Sequence, residues 1–180
     1  PSLRAGYKLS DTLEFEGHYL RGEGDNEYDG SMFSGNSTDF VQDVAGARLN
    51  WQALSFWRMS LSGGRSRDLS DNFYNGTFNS AFDTERRSAS WQNDFALSAQ
   101  QLLTLGADWL DDRVDGTTAF LVDSRDNASG FGQYQGRFCE PDITLAARRD
   151  VNQQFGCHHT GSAAWGLRLI PTLRPVAVRG

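Results

Sequence analysis

Apolar and polar residues alternate along this chain in runs of about seven to twelve, the period of two that a half-buried β-strand requires. The run Arg48-Leu49-Asn50-Trp51-Gln52-Ala53 turns at Leu54-Ser55 and returns as Trp57-Arg58-Met59-Ser60-Leu61. The pattern predicts about ten strands, at residues 2–9, 12–21, 44–53, 56–67, 87–97, 102–113, 130–138, 143–149, 161–169 and 173–178. Pro175 weakens the last, because proline cannot donate a ladder hydrogen bond and suits an edge or a bulge. The connections alternate in length. Short ones fall at 10–11, 54–55, 98–101, 139–142 and 170–172, and long polar ones at 22–43, 68–86, 114–129 and 150–160. Successive turns of an antiparallel sheet fall on opposite sides, so all the short turns share one side. A transmembrane barrel has this sidedness, with short periplasmic turns and long outward loops.

The alternation also assigns faces. Leu13, Phe15 and Tyr19 oppose Glu14, Glu16 and His18; Leu103, Leu105, Ala107 and Trp109 oppose Thr104, Gly106 and Asp108; Ala163, Trp165, Leu167 and Leu169 oppose Ser162 and Arg168. The charged face suits a watery lumen better than a packed core. Trp51, Phe56 and Trp57 flank one short turn, while Trp91 and Trp109 lie toward the long-loop ends of their strands, as in the aromatic girdles of a membrane barrel. Asn93 is the exception, a polar residue on the apolar face of its strand, where lipid disfavours it. The expected fold is therefore all-β: one antiparallel up-and-down transmembrane β-barrel domain, or a segment of one, spanning residues 1–180. The competing architecture is a soluble secreted β-sandwich or small barrel that binds a ligand through its loops.

Composition fits this reading. No apolar run approaches the ~18 residues of a membrane helix, and the mean hydropathy is -0.54, but a barrel shows lipid only every second residue. The net charge of -6 and the lack of a basic tract exclude a nucleic-acid partner. Of 17 basic residues only Lys8 is lysine. The N-terminal Pro1-Ser2-Leu3-Arg4 is not a signal peptide. Cys139 and Cys157 are separated by a strand of about 30 Å. A disulfide needs Cα atoms within about 7 Å, so two unpaired thiols are expected.

The segment from Ile143 through Asp150-Val151-Asn152-Gln153-Gln154-Phe155-Gly156-Cys157-His158-His159 to Gly161 resembles the TonB-dependent outer-membrane cobalamin (vitamin B12) transporters. The resemblance continues through Ser162 to Gly166. It recurs upstream in Leu102 to Trp109, with its Gly106, Asp108 and Trp109, and in the loop element Asn26-Glu27-Tyr28-Asp29. The resemblance implies the bacterial outer membrane, a barrel of about 22 strands, a plug inside it, and corrinoid uptake driven through TonB. This chain matches the middle of such a barrel wall. It carries no plug and no TonB box, so TonB is not an expected partner and active uptake is not expected from this stretch by itself. Lipid is the expected partner and cobalamin the candidate ligand. Val151, Cys157 and His159 depart from the family pattern.

Acidic residues crowd the long connections: Glu23, Asp25, Glu27, Asp29 and Asp39 in the first, Asp68, Asp71, Asp83 and Glu85 in the second, Asp111, Asp112, Asp115, Asp123 and Asp126 in the third. Hard oxygen ligands in loops suit Ca²⁺, and the family orders its binding loops with calcium. The candidate calcium ligands are Asp25, Tyr28, Asp29 and Asp43. The simpler reading is a solvated anionic loop set, since no EF-hand spacing is present. Cys157-His158-His159 lacks metal-site spacing. His18 beside Glu14 and Glu16 fits a lumenal charge network with Arg4 and Lys8. No nucleophile elbow, phosphate loop or HExxH motif occurs, so no enzyme is expected.

Overall fold

The computed structural model describes residues 1–31, 34–138, 141–167 and 176–179, without side chains at 29–34 and 176–179. It is a single antiparallel sheet of ten strands in strict chain order. They are β1 (Ser2–Ser10), β2 (Leu13–Ser31), β3 (Ser34–Leu54), β4 (Trp57–Tyr74), β5 (Thr77–Ser98), β6 (Gln101–Gly116), β7 (Ser124–Arg137), β8 (Pro141–Asn152), β9 (Gly156–Leu167) and β10 (Val176–Arg179). Among the described residues β1 pairs only with β2 and β10 only with β9, so the sheet has two free edges and does not close on itself. The expected connection at 170–172 and the start of the expected last strand, 173–175, lie outside the described residues, as does Cys139. Cys157 is a free, exposed thiol.

The short turns predicted at 10–11, 54–55 and 98–101 stand where the alternation puts them. Of the long connections, 114–129 keeps residues 117–123 outside the strands, and the others are mostly ladder. Residues 22–31, 34–43, 68–74 and 77–86 continue as ladder, so that β2 to β5 run 18 to 22 residues, about twice the ~9–11 that cross a bilayer. The β4–β5 hairpin closes in two residues, Asn75 at φ 49° and Gly76 at φ 74°. Positive φ at both central positions is the type I′ turn that Asn-Gly favours, because its twist matches that of the strands. The later strands shorten to 16, 14, 12 and 12 residues. At 150–160 the predicted loop is mostly the end of β8 and the start of β9, leaving 153–155 as the turn; Cys157 therefore sits in a strand.

Among the described residues there is one sheet and no second layer over either face, which is not the arrangement of a sandwich. Among the described residues not one hydrophobic side chain is buried. Cross-strand register carries the face assignment through the sheet. Leu13, Trp51, Met59, Asn93, Leu105, Gly132, Ala147 and Gly161 are successive partners in one row across β2 to β9. The row two residues further from the short turns joins Phe15, Leu49, Leu61, Trp91, Ala107 and Gly130. These rows form an apolar band on the outer face, with Leu61, Trp91, Leu105 and Trp109 left exposed. A sheet with this much exposed apolar surface on one side is stable where a lipid phase covers it.

Candidate functional site

The inner face is a hydrogen-bonded polar wall. On β6, Asp108 accepts from the Ser90 hydroxyl of β5 at 2.7 Å and from Arg148 Nη1 of β8 at 2.8 Å. Arg148 also donates through Nε to Asp150 at 3.1 Å and through Nη2 to Ser129 Oγ of β7 at 2.6 Å, with its guanidinium 5.8 Å from the centre of the Phe131 ring. Nearer the long end, Asp112 accepts from Arg86 at 2.6 Å and from Arg125 at 2.7 Å. Two carboxylates thus tie four adjacent strands together. Further along, Thr104 donates to Asp94 at 2.7 Å and Ser60 to Asn50 at 2.8 Å. The expected Arg4, Glu16 and His18 cluster is present in part: Arg4 pairs with Glu16 at 3.5 Å, and the His18 ring fills the space over Gly46. Two open depressions, of about 690 and about 980 Å³, run along this face and share Arg86 and Val44.

The outer face changes character above the apolar band. Tyr19, Ala45, Arg65, Arg87 and Asp111 are successive partners in one row, and Arg21, Asp43, Arg67, Glu85 and Arg113 in the next. Arginine and carboxylate interleave there. Arg65 makes a two-pronged contact with Glu85 at 2.8 and 3.1 Å, Arg87 Nε reaches the same carboxylate at 2.5 Å, Arg67 forks onto Asp83 at 2.9 and 2.5 Å, and Arg113 pairs with Asp111 at 3.0 Å. Planar forks of this kind call for arginine rather than lysine. Glu85 lies beyond the membrane-crossing part of β5. Its hydrogen bonds from Arg65 and Arg87 hold its carboxyl down at about 2. The Arg67 fork lowers that of Asp83 in the same way.

Asn93 is 3% exposed, and its Oδ1 accepts the indole N–H of Trp57 at 3.0 Å. Trp57 in turn stacks on Phe95 at 5.8 Å and lies 6.1 Å from Trp51. The aromatic cluster predicted at the short turn therefore shields the one polar residue of the band.

Among the described side chains, the candidate calcium residues Asp25, Tyr28 and Asp43 are not brought together. Asp43 accepts from the Tyr19 hydroxyl at 2.8 Å and pairs with Arg21 at 3.4 Å. Asp25 stands four residues further along β2 than Arg21, about 13 Å at ~3.3 Å per residue, opposite Asp39. Tyr28, opposite Asn36, falls on the other face by alternation. The side chain of Asp29 is outside the described residues. No group of three or more His, Cys, Asp and Glu is arranged to hold a metal ion among the described residues. Cys157 and His159 share the outer face, with Arg149 Nε 3.2 Å from the sulfur and His159 Nε2 3.5 Å from it, while the His158 ring turns away to the Phe155 carbonyl. The residues that organise both faces, Arg65, Arg86, Arg87, Arg125 and Arg148, were not singled out from the sequence; the signal that could have found them was the arginine bias.

Comparison with known proteins agrees with this architecture. No family model matches the chain. The vitamin B12 transporter BtuB of Photobacterium profundum is 26% identical over 172 residues, which is 93% of this chain and 28% of that protein. The chain therefore spans less than a third of the length of this curated relative. The siderophore receptor PirA from Pseudomonas aeruginosa superposes with a TM-score of 0.65 at 15% identity, covering 93% of this chain and 37% of that one. PirA from Acinetobacter baumannii gives 0.57 at 12% identity, over 94% and 39%. The chain is similar to a vitamin B12 transporter over most of its length, and its fold is that of a continuous stretch of an outer-membrane receptor barrel.

Proposed function

We propose that this chain forms part of the wall of an outer-membrane transport barrel related to cobalamin transporters, its apolar band in lipid and its polar wall facing a water-filled passage. The observation that carries this reading is the register: rows of partners across eight strands, β2 to β9, keep apolar residues on one face and hydrogen-bonded polar ones on the other. Water on the inner side gives the Asp108–Arg148 and Asp112–Arg86–Arg125 clusters the solvent their remaining lone pairs and N–H groups need. The cargo proposed is a corrinoid, on the likeness to BtuB, and the part of this chain in transport is to line the passage rather than to drive uptake. Lipid is the partner of the outer face, and the bacterial outer membrane is where the chain works.

The test is behaviour in detergent and vesicles. The purified chain should require detergent, insert into phosphatidylcholine vesicles and migrate differently on gels before and after heating. A monodisperse monomer in plain buffer contradicts the reading. Titration of the inserted chain with cyanocobalamin, followed by tryptophan fluorescence, tests the cargo separately.

A further inference from the structure

The outer face is not uniformly flat. Toward β1 it holds an open apolar groove of about 790 Å³, walled by Leu3 and Tyr19 on one side and Tyr7 and Phe15 on the other, with Gly17 and Ala47 among the residues of its floor. The groove also reaches Ala45 and Gly63. Ala45 is the cross-strand partner of Arg65, and Arg65 of Arg87. Two arginines thus stand side by side at the rim, directly above the apolar band.

Like charges opposite one another across a ladder repel. Here one carboxylate serves both: Glu85 takes Nε and Nη2 of Arg65 and Nε of Arg87. Among the described residues Arg65 Nη1 and both Nη groups of Arg87 donate to nothing. The two side chains remain 52% and 46% exposed, so these N–H groups can reach an incoming ligand. Counted by itself, this cluster keeps one positive charge more than its carboxylate cancels, and the balancing carboxylate stands away from it, where Arg21 meets both Asp43 and Glu23. Its neighbours are committed elsewhere, Arg67 to Asp83, Arg113 to Asp111, and Arg21 to Asp43 and Glu23.

We propose that this groove and its arginine rim form a binding site for a single phosphate-bearing lipid, the acyl chain lying in the groove and the phosphate held by Arg65 and Arg87. An apolar groove running beside a row that carries unsatisfied guanidinium donors, at the top of an apolar band, matches a lipid in chemistry. Guanidinium is the group best shaped for phosphate. The proposal rests on the barrel-wall reading above and adds a specific lipid site to it.

The chain in phosphatidylcholine vesicles, containing either brominated phosphatidylcholine or brominated phosphatidylglycerol, reports the site through quenching of tryptophan; Trp91 lies two positions from Ala89, which neighbours Gly63. The expected result is a preference of about five-fold for the anionic lipid, the scale set by one uncompensated arginine charge at such a surface. The double variant Arg65→Gln, Arg87→Gln should lose the preference, the double lysine variant should retain most of it, and Gly63→Leu, which fills the groove, should weaken it without removing the charge. Equal quenching by the two lipids in the parent chain, or an unchanged preference in the double glutamine variant, overturns the proposal. Loss of the preference in millimolar glycerol phosphate overturns the acyl-chain part of it. If neither lipid quenches, the chain is not in the bilayer, and the barrel-wall reading falls together with the site.

Discussion

The indole N–H of Trp57 donates to Asn93 Oδ1 at 3.0 Å on the outer face of the sheet, within the apolar band. The bond joins adjacent strands, and its acceptor is almost wholly covered. A polar group at this depth has no water to turn to. Trp57 therefore serves two purposes, as an interfacial aromatic and as the one partner the amide oxygen finds among the described residues.

Removing the donor alone should be worse than removing the pair. Trp57→Phe keeps the ring stacked near Phe95 but leaves the Asn93 oxygen unpaired, which costs about 1–3 kcal/mol. Trp57→Phe combined with Asn93→Leu should recover most of that loss. Urea unfolding in detergent, followed by the remaining tryptophans, measures both. A single variant as stable as the parent would mean that the bond contributes nothing.

The outer and inner faces should respond oppositely to charge. Leu105→Arg places a cation on the lipid side of β6, where it costs about 2–4 kcal/mol near the midplane. Thr104→Arg adds the same charge one residue away, on the side that carries Asp94. Vesicle insertion yield should drop for the first and hold for the second. Equal yields contradict the face assignment.

How much of this was legible in the sequence depends on where water lies. In the membrane-crossing third to half of β2 to β5, one face meets lipid and the other water, so the alternation is plain and Phe15, Leu49, Leu61 and Trp91 mark it. Past Arg21, Asp43, Arg67 and Glu85 both faces meet water, the hydrophobic period disappears, and a ladder reads as a polar loop. Asn75-Gly76 was the one local sign that such a loop is really a hairpin, through its turn chemistry alone. Asp43 of the candidate calcium set, read as loop, is for the same reason a strand residue held by Tyr19 and Arg21. Asn93 was legible as an anomaly, but its partner was not, because Trp57 lies on another strand and only the register brings them together.

The inner Arg148 hub should behave as a unit. Arg148→Ala strips Asp108 and Asp150 of their shared cation and unties β6 from β8, and it should destabilise the chain by roughly 1–3 kcal/mol. Asp108→Asn leaves Arg148 bonded to Asp150 and Ser129 and should be milder. In a double-mutant cycle on urea midpoints the two changes together should lose less than their sum. Full additivity would show that the contact at 2.8 Å does not couple them.

The rim should also carry an acid signature. Glu85 titrates at about 2 in the folded chain, against 4.5 for an unperturbed glutamate. A lowered folded-state value means that its stabilisation is fully present above pH ~4.5 and is lost as pH falls through about 2. The parent should therefore melt above Glu85→Gln at pH 7. The gap should narrow below pH ~4.5 and close near pH 2. A gap that does not change with pH would assign the effect to packing instead of charge.

The central claim is that one face of this sheet lies in lipid and the other in water. An environment-sensitive fluorophore attached to a single cysteine at position 105 or at position 104, in a chain freed of Cys139 and Cys157, measures it in phosphatidylcholine vesicles. The label at 105 should be blue-shifted and quenched by brominated lipid, and the label at 104 red-shifted and quenched by aqueous iodide. Identical responses at the two positions would contradict the account.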